Sequence, residues 1–219
     1  MSVSVPRRPA RDTDDVREGT RARIVDAALQ TLKTRGYAGA SAREIAKAGD
    51  FNQALIFYHH GSVQGALLAV LDRVSDNRLN AYRPAFEQAT TLAELAALAG
   101  EIYREDLENG YVTVLAEMVA GGMSDAELGR QVVARIEPWV EMVEHKVRAL
   151  IAGSMFEPLV PPRDLAFAII ALYLGIDMLG QLDGDHARAE SLLALGVRGA
   201  PLLQILLPAQ RKETRDAQP

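Results

Sequence analysis

The chain has 219 residues, 48% of them hydrophobic and 24% charged, which is typical of a globular protein. It contains no cysteine, which excludes disulfides, thiolate nucleophiles and iron–sulfur clusters. The formal net charge is −5, but residues 1–61 hold ten Lys and Arg against seven Asp and Glu, so the acidic excess lies further along the chain. A basic front on an acidic body is typical of a DNA-binding domain attached to a second domain.

Residues 1–19 lack an apolar period and predict a flexible tail that carries Arg7, Arg8, Arg11 and Arg17. This segment contains no apolar run of signal-peptide length, so we expect a cytoplasmic protein.

Three short helical patterns follow the tail. The first begins at Thr20, a good N-cap residue, and ends at Gly36. Ser41 and Glu44 form a capping box that opens a second helix. The turn Gly-Asp-Phe-Asn at residues 49–52 precedes a third helix, residues 53–60, with Asn52 as its N-cap.

The rest of the chain is almost entirely helical in pattern, with no useful strand alternation and no internal repeat. Pro138 interrupts one long apolar period, and a kink is expected there. The predicted helices lie near residues 62–81, 92–108, 111–120, 125–151, 164–182 and 186–207.

The sequence therefore predicts an all-α protein, in which a three-helix helix-turn-helix domain joins a larger helical domain for ligand binding and dimerisation. The predicted parts are the tail (residues 1–19), the DNA-binding domain (20–66), the larger helical domain (67–210) and a C-terminal flexible tail (211–219).

In a helix-turn-helix, the second helix presents exposed side chains to base edges in the major groove. Gln53 suits bidentate contact with adenine, Tyr58 and His59 suit phosphates or thymine methyls, and Ile56 should face inward. Adjacent residues on a helix point about 100° apart, which favours a phosphate contact over a metal site at His59 and His60. The candidate DNA-binding residues are Ser41, Arg43, Asn52, Gln53, Ala54, Tyr58, His59 and Ser62.

Four segments together resemble the N-terminal pattern of the TetR family of transcriptional repressors in order and spacing. They are TRARIVDAA (20–28), RGY (35–37), SAREIA (41–46) and FYHHGS (57–62). The resemblance covers about fifty residues. It implies a homodimer that binds a palindromic operator in double-stranded DNA and a C-terminal pocket whose small-molecule ligand releases that DNA.

The recognition helix departs from the family pattern. In the family this helix usually carries a Lys or Arg, whereas in this chain none lies between residues 48 and 72. Val63 stands where a phosphate-binding Lys is frequent, and Asp50 where a glycine is common. Fewer cations release fewer counterions, so we expect a shallower salt dependence of DNA binding, with the arginines of the tail partly compensating.

Candidate pocket residues combine bulk, soft side chains and a few polar groups, although ordinary core packing explains each of them equally well. Asp177 stands out because an acid in an apolar helix needs a partner, either a ligand or a residue across a dimer. The candidates are Tyr103, Glu117, Met118, Trp139, Met142, Tyr173, Asp177 and Met178.

Residues 165–182 approach transmembrane length, but Asp177 and Gln181 within the run argue against a membrane span. A helix that is apolar all round is buried on both sides. The resemblance implies that segments 164–183 and 186–207 form the dimer interface.

The sequence predicts a ligand-relieved repressor with no cofactor, no metal site and no catalytic residues. A ligand-independent regulator controlled by a protein partner remains open. An all-α enzyme is a further alternative, but no nucleophile–base pair, metal set or phosphate loop supports it.

Overall fold

The computed structural model describes the backbone of residues 10–205 and their side chains except those of residues 10–14 and 203. Over this range the chain forms nine helices and no strand, which confirms the all-α prediction. The helices are α1 (Ala10–Gly39), α2 (Ala42–Gly49), α3 (Ala54–His60), α4 (Val63–Gln88), α5 (Leu92–Asn109), α6 (Tyr111–Ser124), α7 (Ala126–Ile151), α8 (Pro162–Asp183) and α9 (Ala187–Gln204).

Helix α1 begins ten residues before the predicted N-cap. Thr20 lies inside the helix, and its hydroxyl donates to the carbonyl oxygen of Val16 at 2.9 Å. The prediction of a flexible tail is therefore wrong for residues 10–19, because a helix nucleated further along extends at little cost even without an apolar face. Residues 1–9, with Arg7 and Arg8, and the predicted tail 211–219 lie outside the described residues.

Gly36 breaks α1, as its sequence position indicates. Its backbone adopts φ 67° and ψ −179°, a region open essentially only to glycine. The break frees the amide of Tyr37, which donates to Oε2 of Glu117 at 2.7 Å. A carboxylate of α6 thus satisfies the amide released by the break in α1.

Caps define the ends of the next helices. The amide of Glu44 donates to the Ser41 hydroxyl at 3.3 Å, while the Glu44 carboxylate pairs with Arg35 at 3.1 Å instead of closing the predicted capping box. Asp50 ends α2 in the left-handed conformation, with φ 49°. Helix α3 begins at Ala54, one residue later than predicted, and its amide donates to Oδ1 of Asn52 at 2.9 Å.

The chain divides into two compact units. Unit 1 contains the residues up to Val74 together with Thr113–Val132, and unit 2 contains Ser75–Val112 and the residues from Val133 onward. The core of unit 1 includes Ile24, Leu32, Ile45, Ile56 and Leu67, none more than 1% exposed.

In unit 2, α5 packs against α9. Valines of α7 form a core cluster with Ala166 of α8, and Tyr82, Leu98 and Ile102 form a second cluster.

Helix α8 is not buried all round within one chain. Phe167, Leu172 and Leu179 are 64–67% exposed. Among the described residues, α8 alone is long and apolar enough to cross a membrane as a single helix, and α3 with α4 qualifies only as a pair bent by 60°. Only 17% of the apolar window of α8 is buried, so most of this apolar surface is at least partly exposed to solvent.

Replacing Gly36 with alanine is expected to destabilise the protein by about 1–3 kcal/mol, because alanine disfavours this backbone conformation. The added Cβ would also lie 2.6 Å from Oε2 of Glu117. The matched control is Gly19→Ala within α1, where no atom lies within 4 Å of the new Cβ, and that change should stabilise the helix. Urea unfolding of both variants measures the difference; equal effects would contradict the strained break.

Candidate functional site

The exposed side of α3 has the geometry of the recognition helix of a helix-turn-helix. Ile56 is fully buried, as predicted, whereas Gln53, Ala54 and Tyr58 are exposed. The turn before α3 is held from α1, because a guanidinium nitrogen of Arg23 donates to the carbonyl oxygens of Gly49 and Asp50 at 3.1 and 3.3 Å. Unit 1 therefore holds α3 with its polar side toward solvent.

Seven of the eight predicted DNA-binding residues are exposed and His59 is half-buried. Ser41, Asn52 and Ser62 each accept a backbone amide near the start of a helix, and Gly65 donates to Ser62 at 2.9 Å. Arg43, Asn52 and Gln53 line a shallow surface concavity that also includes Lys47. Helix starts, amides and cations of this kind bind phosphate.

Two cations of α1 lie beside the site: Arg17, one of the tail arginines expected to contribute, and Arg21, which the sequence analysis did not place there. The guanidinium of Arg17 lies 5.5 Å from the ring centre of Tyr58. Arg17 and Arg21 both lower the pKa of His59, after the larger effect of burial, so both cations lie close to the end of α3. The sequence spacing could have indicated this pair, because residues 17 and 21 are one turn apart and share a face of the helix once α1 extends back to Ala10.

His59 and His60 serve as neutral groups. Burial is the largest cause that lowers the pKa of each. The charges of Arg17 and Arg21 lower the pKa of His59 further, and the charge of Arg21 lowers that of His60 although a hydrogen bond to the Arg21 backbone opposes it. A phosphate contact from His59 would therefore be a hydrogen bond, and positive charge beside α3 comes from Arg17 and Arg21.

Unit 2 contains a buried polar cluster around Asp106, which is 3% exposed. Arg78 pairs with Oδ2 of Asp106 at 2.6 Å, and the Tyr173 hydroxyl donates to the same oxygen at 2.8 Å. The other oxygen, Oδ1, is buried without a hydrogen-bond partner. Burial raises the pKa of Asp106 to about 6, even though Arg78 and Tyr173 oppose the rise.

Asp177 of α8 is a second buried acid in this cluster. It is 1% exposed, and its Oδ1 also lacks a partner. Burial, followed by the charge of Asp106, raises the pKa of Asp177 to about 7. Arg78 thus pairs with Asp106, and its charge also lowers the pKa of Asp177.

Aromatic side chains surround the two acids. The rings of Tyr103 and Tyr173 meet edge to face at 6.1 Å, and the Tyr103 hydroxyl lies 3.0 Å from Nδ1 of His186. Arg78 lies 5.0 Å from the ring centre of Trp139, whose indole nitrogen donates to Ser75 at 2.9 Å. The cluster therefore combines buried negative charge with aromatic faces.

The N-terminal segment matches the family "Bacterial regulatory proteins, tetR family" over residues 24–70. This match covers the helix-turn-helix described above. This segment is a TetR-family DNA-binding domain.

A curated relative, an uncharacterized HTH-type transcriptional regulator YvkB of Bacillus subtilis (strain 168), is 39% identical over 59 residues. That match covers 27% of this chain and spans about a third, 31%, of the relative. The matched stretch is thus of the length of a DNA-binding domain.

Solved structures share the fold over most of the chain. The fatty acid degradation regulator FadR from Bacillus halodurans is 16% identical with a TM-score of 0.70, covering 83% of this chain and 94% of that one. FadR from Bacillus subtilis in complex with stearoyl-CoA is 13% identical with a TM-score of 0.69, covering 82% and 96%. A TetR-family member from Streptomyces coelicolor A3 is 25% identical with a TM-score of 0.58, covering 81% and 97%.

The predicted pocket residues fall into two groups. Tyr103, Trp139, Tyr173 and Asp177 belong to the polar and aromatic cluster of unit 2. Met142 and Met178 belong to the same unit, Met142 as a buried core residue and Met178 half-buried, and no described contact joins either to the cluster.

Glu117 and Met118 belong to unit 1, so the structure does not group them with the other candidates. Oε2 of Glu117 accepts the Tyr37 amide, which gives this side chain a structural role. Met118 is fully buried in the same unit.

The sequence reading missed Arg78, Asp106 and His186. Asp106 falls on the apolar side of α5, which was the available signal for a buried acid. A groove of about 440 Å³ lies beside this cluster, between α8 and α9, and its lining includes Gly180. Among the described residues, no group of three or more His, Asp or Glu could hold a metal ion.

Arg17→Gln and Arg21→Gln are each expected to weaken DNA binding several-fold. Each change should also reduce the slope of log affinity against log salt by about 0.9, the value for one lost phosphate contact. Fluorescence anisotropy with a duplex selected from random DNA measures both quantities. The control is Arg104→Gln, an exposed arginine of α5 in unit 2. Unchanged affinity in both α1 variants would contradict a DNA contact by this helix.

Asp177→Asn is expected to reduce the loss of stability between about pH 4 and pH 7. The pKa of Asp177 rises from its usual 3.8 to about 7 on folding, so the folded chain binds this proton more tightly than the unfolded chain does. That stability is present below pH 4 and is lost as the pH rises toward 7, by more than ~1 kcal/mol. Urea unfolding at several pH values tests this, with Glu108→Gln, an exposed acid of α5, as the control. Parallel curves for the wild type and D177N would refute it.

Proposed function

We propose that this TetR-family regulator is a homodimeric repressor, released from a palindromic operator by a small-molecule effector. The observation that carries the DNA-binding part is the exposed polar side of α3, with Gln53 and Tyr58 toward solvent and Ile56 inside. Gln53 would contact bases, while Arg17, Arg21, Arg43 and the capped helix starts would contact phosphates.

The exposed apolar residues of α8 and α9 support dimerisation through these helices. Besides the three already named on α8, Leu182 is 84% exposed, and Leu192 and Leu195 of α9 are 52% and 56% exposed. Contiguous exposed apolar surface on this scale marks an interaction site. We assign this surface to a second copy rather than to lipid, because α8 also carries the buried Asp177, which is costly within a bilayer.

A two-fold dimer accounts for operator symmetry and for relief by a ligand. Its two α3 helices would have to lie one DNA turn apart, roughly 34 Å, to enter successive major grooves. An effector that binds better to a different separation would lower DNA affinity by its difference in affinity for the two states. We place the effector at the polar and aromatic cluster of unit 2.

The ligand-relief part rests on this cluster and on a structural neighbour. The stearoyl-CoA complex of the Bacillus subtilis FadR shows that a protein of this fold accepts a ligand, and at 13% identity it does not name the ligand of this chain. The alternative is a regulator controlled by a protein partner. We also propose that the protein works in the cytoplasm, where its DNA lies, and that it catalyses no reaction.

One experiment tests the DNA-binding and dimer parts together. A duplex selected from random DNA should be palindromic, and the wild type should be dimeric by light scattering. Leu172→Glu should give a monomer with at least ten-fold weaker DNA binding, because a charge in an apolar interface is costly and the second half-site contact is lost. The control Val133→Glu alters a residue of α7 that is 62% exposed, and it should change neither property. A monomeric wild type, or no selected sequence, would refute the proposal, whereas DNA binding that no metabolite mixture releases would favour the protein-partner alternative.

A further inference from the structure

The two acids of unit 2 leave two oxygen atoms with no partner. Oδ1 of Asp106 and Oδ1 of Asp177 are both buried and accept no hydrogen bond. Buried polar atoms in folded proteins are almost always satisfied, so such orphans point to a group that the chain alone does not supply. When both acids are ionised, the missing group must donate hydrogen bonds, because an ionised carboxylate can only accept them.

The charge balance points the same way. Arg78 is engaged with Oδ2 of Asp106, while its charge also lowers the pKa of Asp177. Two acids beside one cation leave a deficit of one positive charge when both are ionised. The charged and titratable groups around them are Arg78 and Tyr82 from α4, Tyr103 and Glu105 from α5, Tyr173 from α8 and, next to Tyr103, His186 and Glu190 at the start of α9.

The rings add a third element of cation recognition. Tyr103 and Tyr173 stand edge to face beside the acids, and the negative faces of such rings attract ammonium groups. A metal ion fits less well, since only two carboxylates are available and the described residues contain no group of three or more His, Asp or Glu.

There is also space for the remainder of an organic molecule. Gly180 lines the groove between α8 and α9, and a Cβ at this position would lie 2.9 Å from Nδ1 of His186 and 3.2 Å from the Tyr103 hydroxyl. The groove therefore adjoins the edge of the cluster at Gly180, and its lining mixes Ile176, Leu179 and Leu192 with the charged Asp183, Asp185 and Arg188. Leu179 and Leu192 also belong to the surface assigned above to the second copy, so the groove opens at that surface.

We propose that the effector of this regulator is an organic cation, whose ammonium group binds between Asp106 and Asp177 while its apolar part extends into the groove. The proposal deepens the function proposed above and rests on it for the link to DNA. The ammonium hydrogens satisfy both orphan oxygens, and Tyr103 and Tyr173 flank the charge. An anionic effector would meet two acids and a guanidinium already in use.

Three probes of one shape test the choice of charge. Benzylammonium, benzyl alcohol and benzoate are titrated calorimetrically into the full-length protein at pH 8, without DNA. Benzylammonium should bind at least ten-fold more tightly than the alcohol, and benzoate should not bind. At pH 6, where Asp177 is largely protonated, benzylammonium binding should release a proton, seen as a dependence of the heat on the buffer.

Variants locate the binding. Asp177→Asn should weaken benzylammonium at least ten-fold, reduce the proton release to the part that Asp106 supplies and leave the alcohol unchanged, while Glu108→Gln should behave as the wild type. Circular dichroism confirms that both variants are folded, and Tyr173→Phe offers a milder second change at the same site.

Each result bears on one claim. No binding of benzylammonium at millimolar concentration, equal binding of benzoate, or unchanged affinity in D177N would overturn the cation site and leave the DNA-binding proposal standing. Tight benzylammonium binding that does not alter the affinity for the selected duplex would support the site and refute its role in releasing DNA.

Discussion

In unit 2, the guanidinium of Arg78 offsets the cost of burying polar and charged side chains from several helices. It pairs with Asp106 of α5, faces the ring of Trp139 of α7, and through Asp106 meets the hydroxyl of Tyr173 of α8. Removing one partner of a buried ion pair typically costs about 3–5 kcal/mol, because the other charge remains unsolvated. Arg78 therefore links side chains of α4, α5, α7 and α8. The proposed effector site lies where these side chains meet.

Helix ends were predictable where a side chain and a backbone group interact within a few residues. Ser41, Asn52 and Ser62 cap helices as their positions indicate, and Asp50 adopts the left-handed conformation that its place in the turn requires. The start of α1 was not predictable in this way. Apolar periodicity reports burial, and residues 10–19 form a helix that has no described face in the core.

The same distinction, between local and long-range interactions, decides how much of the DNA-binding site and of the cluster in unit 2 could be predicted. The reading residues of α3 follow from local spacing, so Gln53 and Tyr58 are exposed where the sequence places them. The cations beside them come from α1, which is more than thirty residues earlier in the chain. Likewise, the position of Asp177 in an apolar helix indicates that this acid needs a partner, but only tertiary packing shows that Asp106 and Arg78 lie nearby.

Helix α8 joins the effector site to the proposed dimer surface. Its inward residues, at steps of three or four, are Ala166, Ile170, Tyr173, Asp177 and Gly180. Successive residues of a helix differ by about 100°, so the exposed Leu179 lies about 200° from Asp177, on the opposite side. A rigid helix with the acid on one side and the apolar surface on the other cannot shift for a ligand without shifting the surface against the second copy. In a repressor built this way, a cation beside Asp177 would act on the spacing of the two reading helices through the movement of α8.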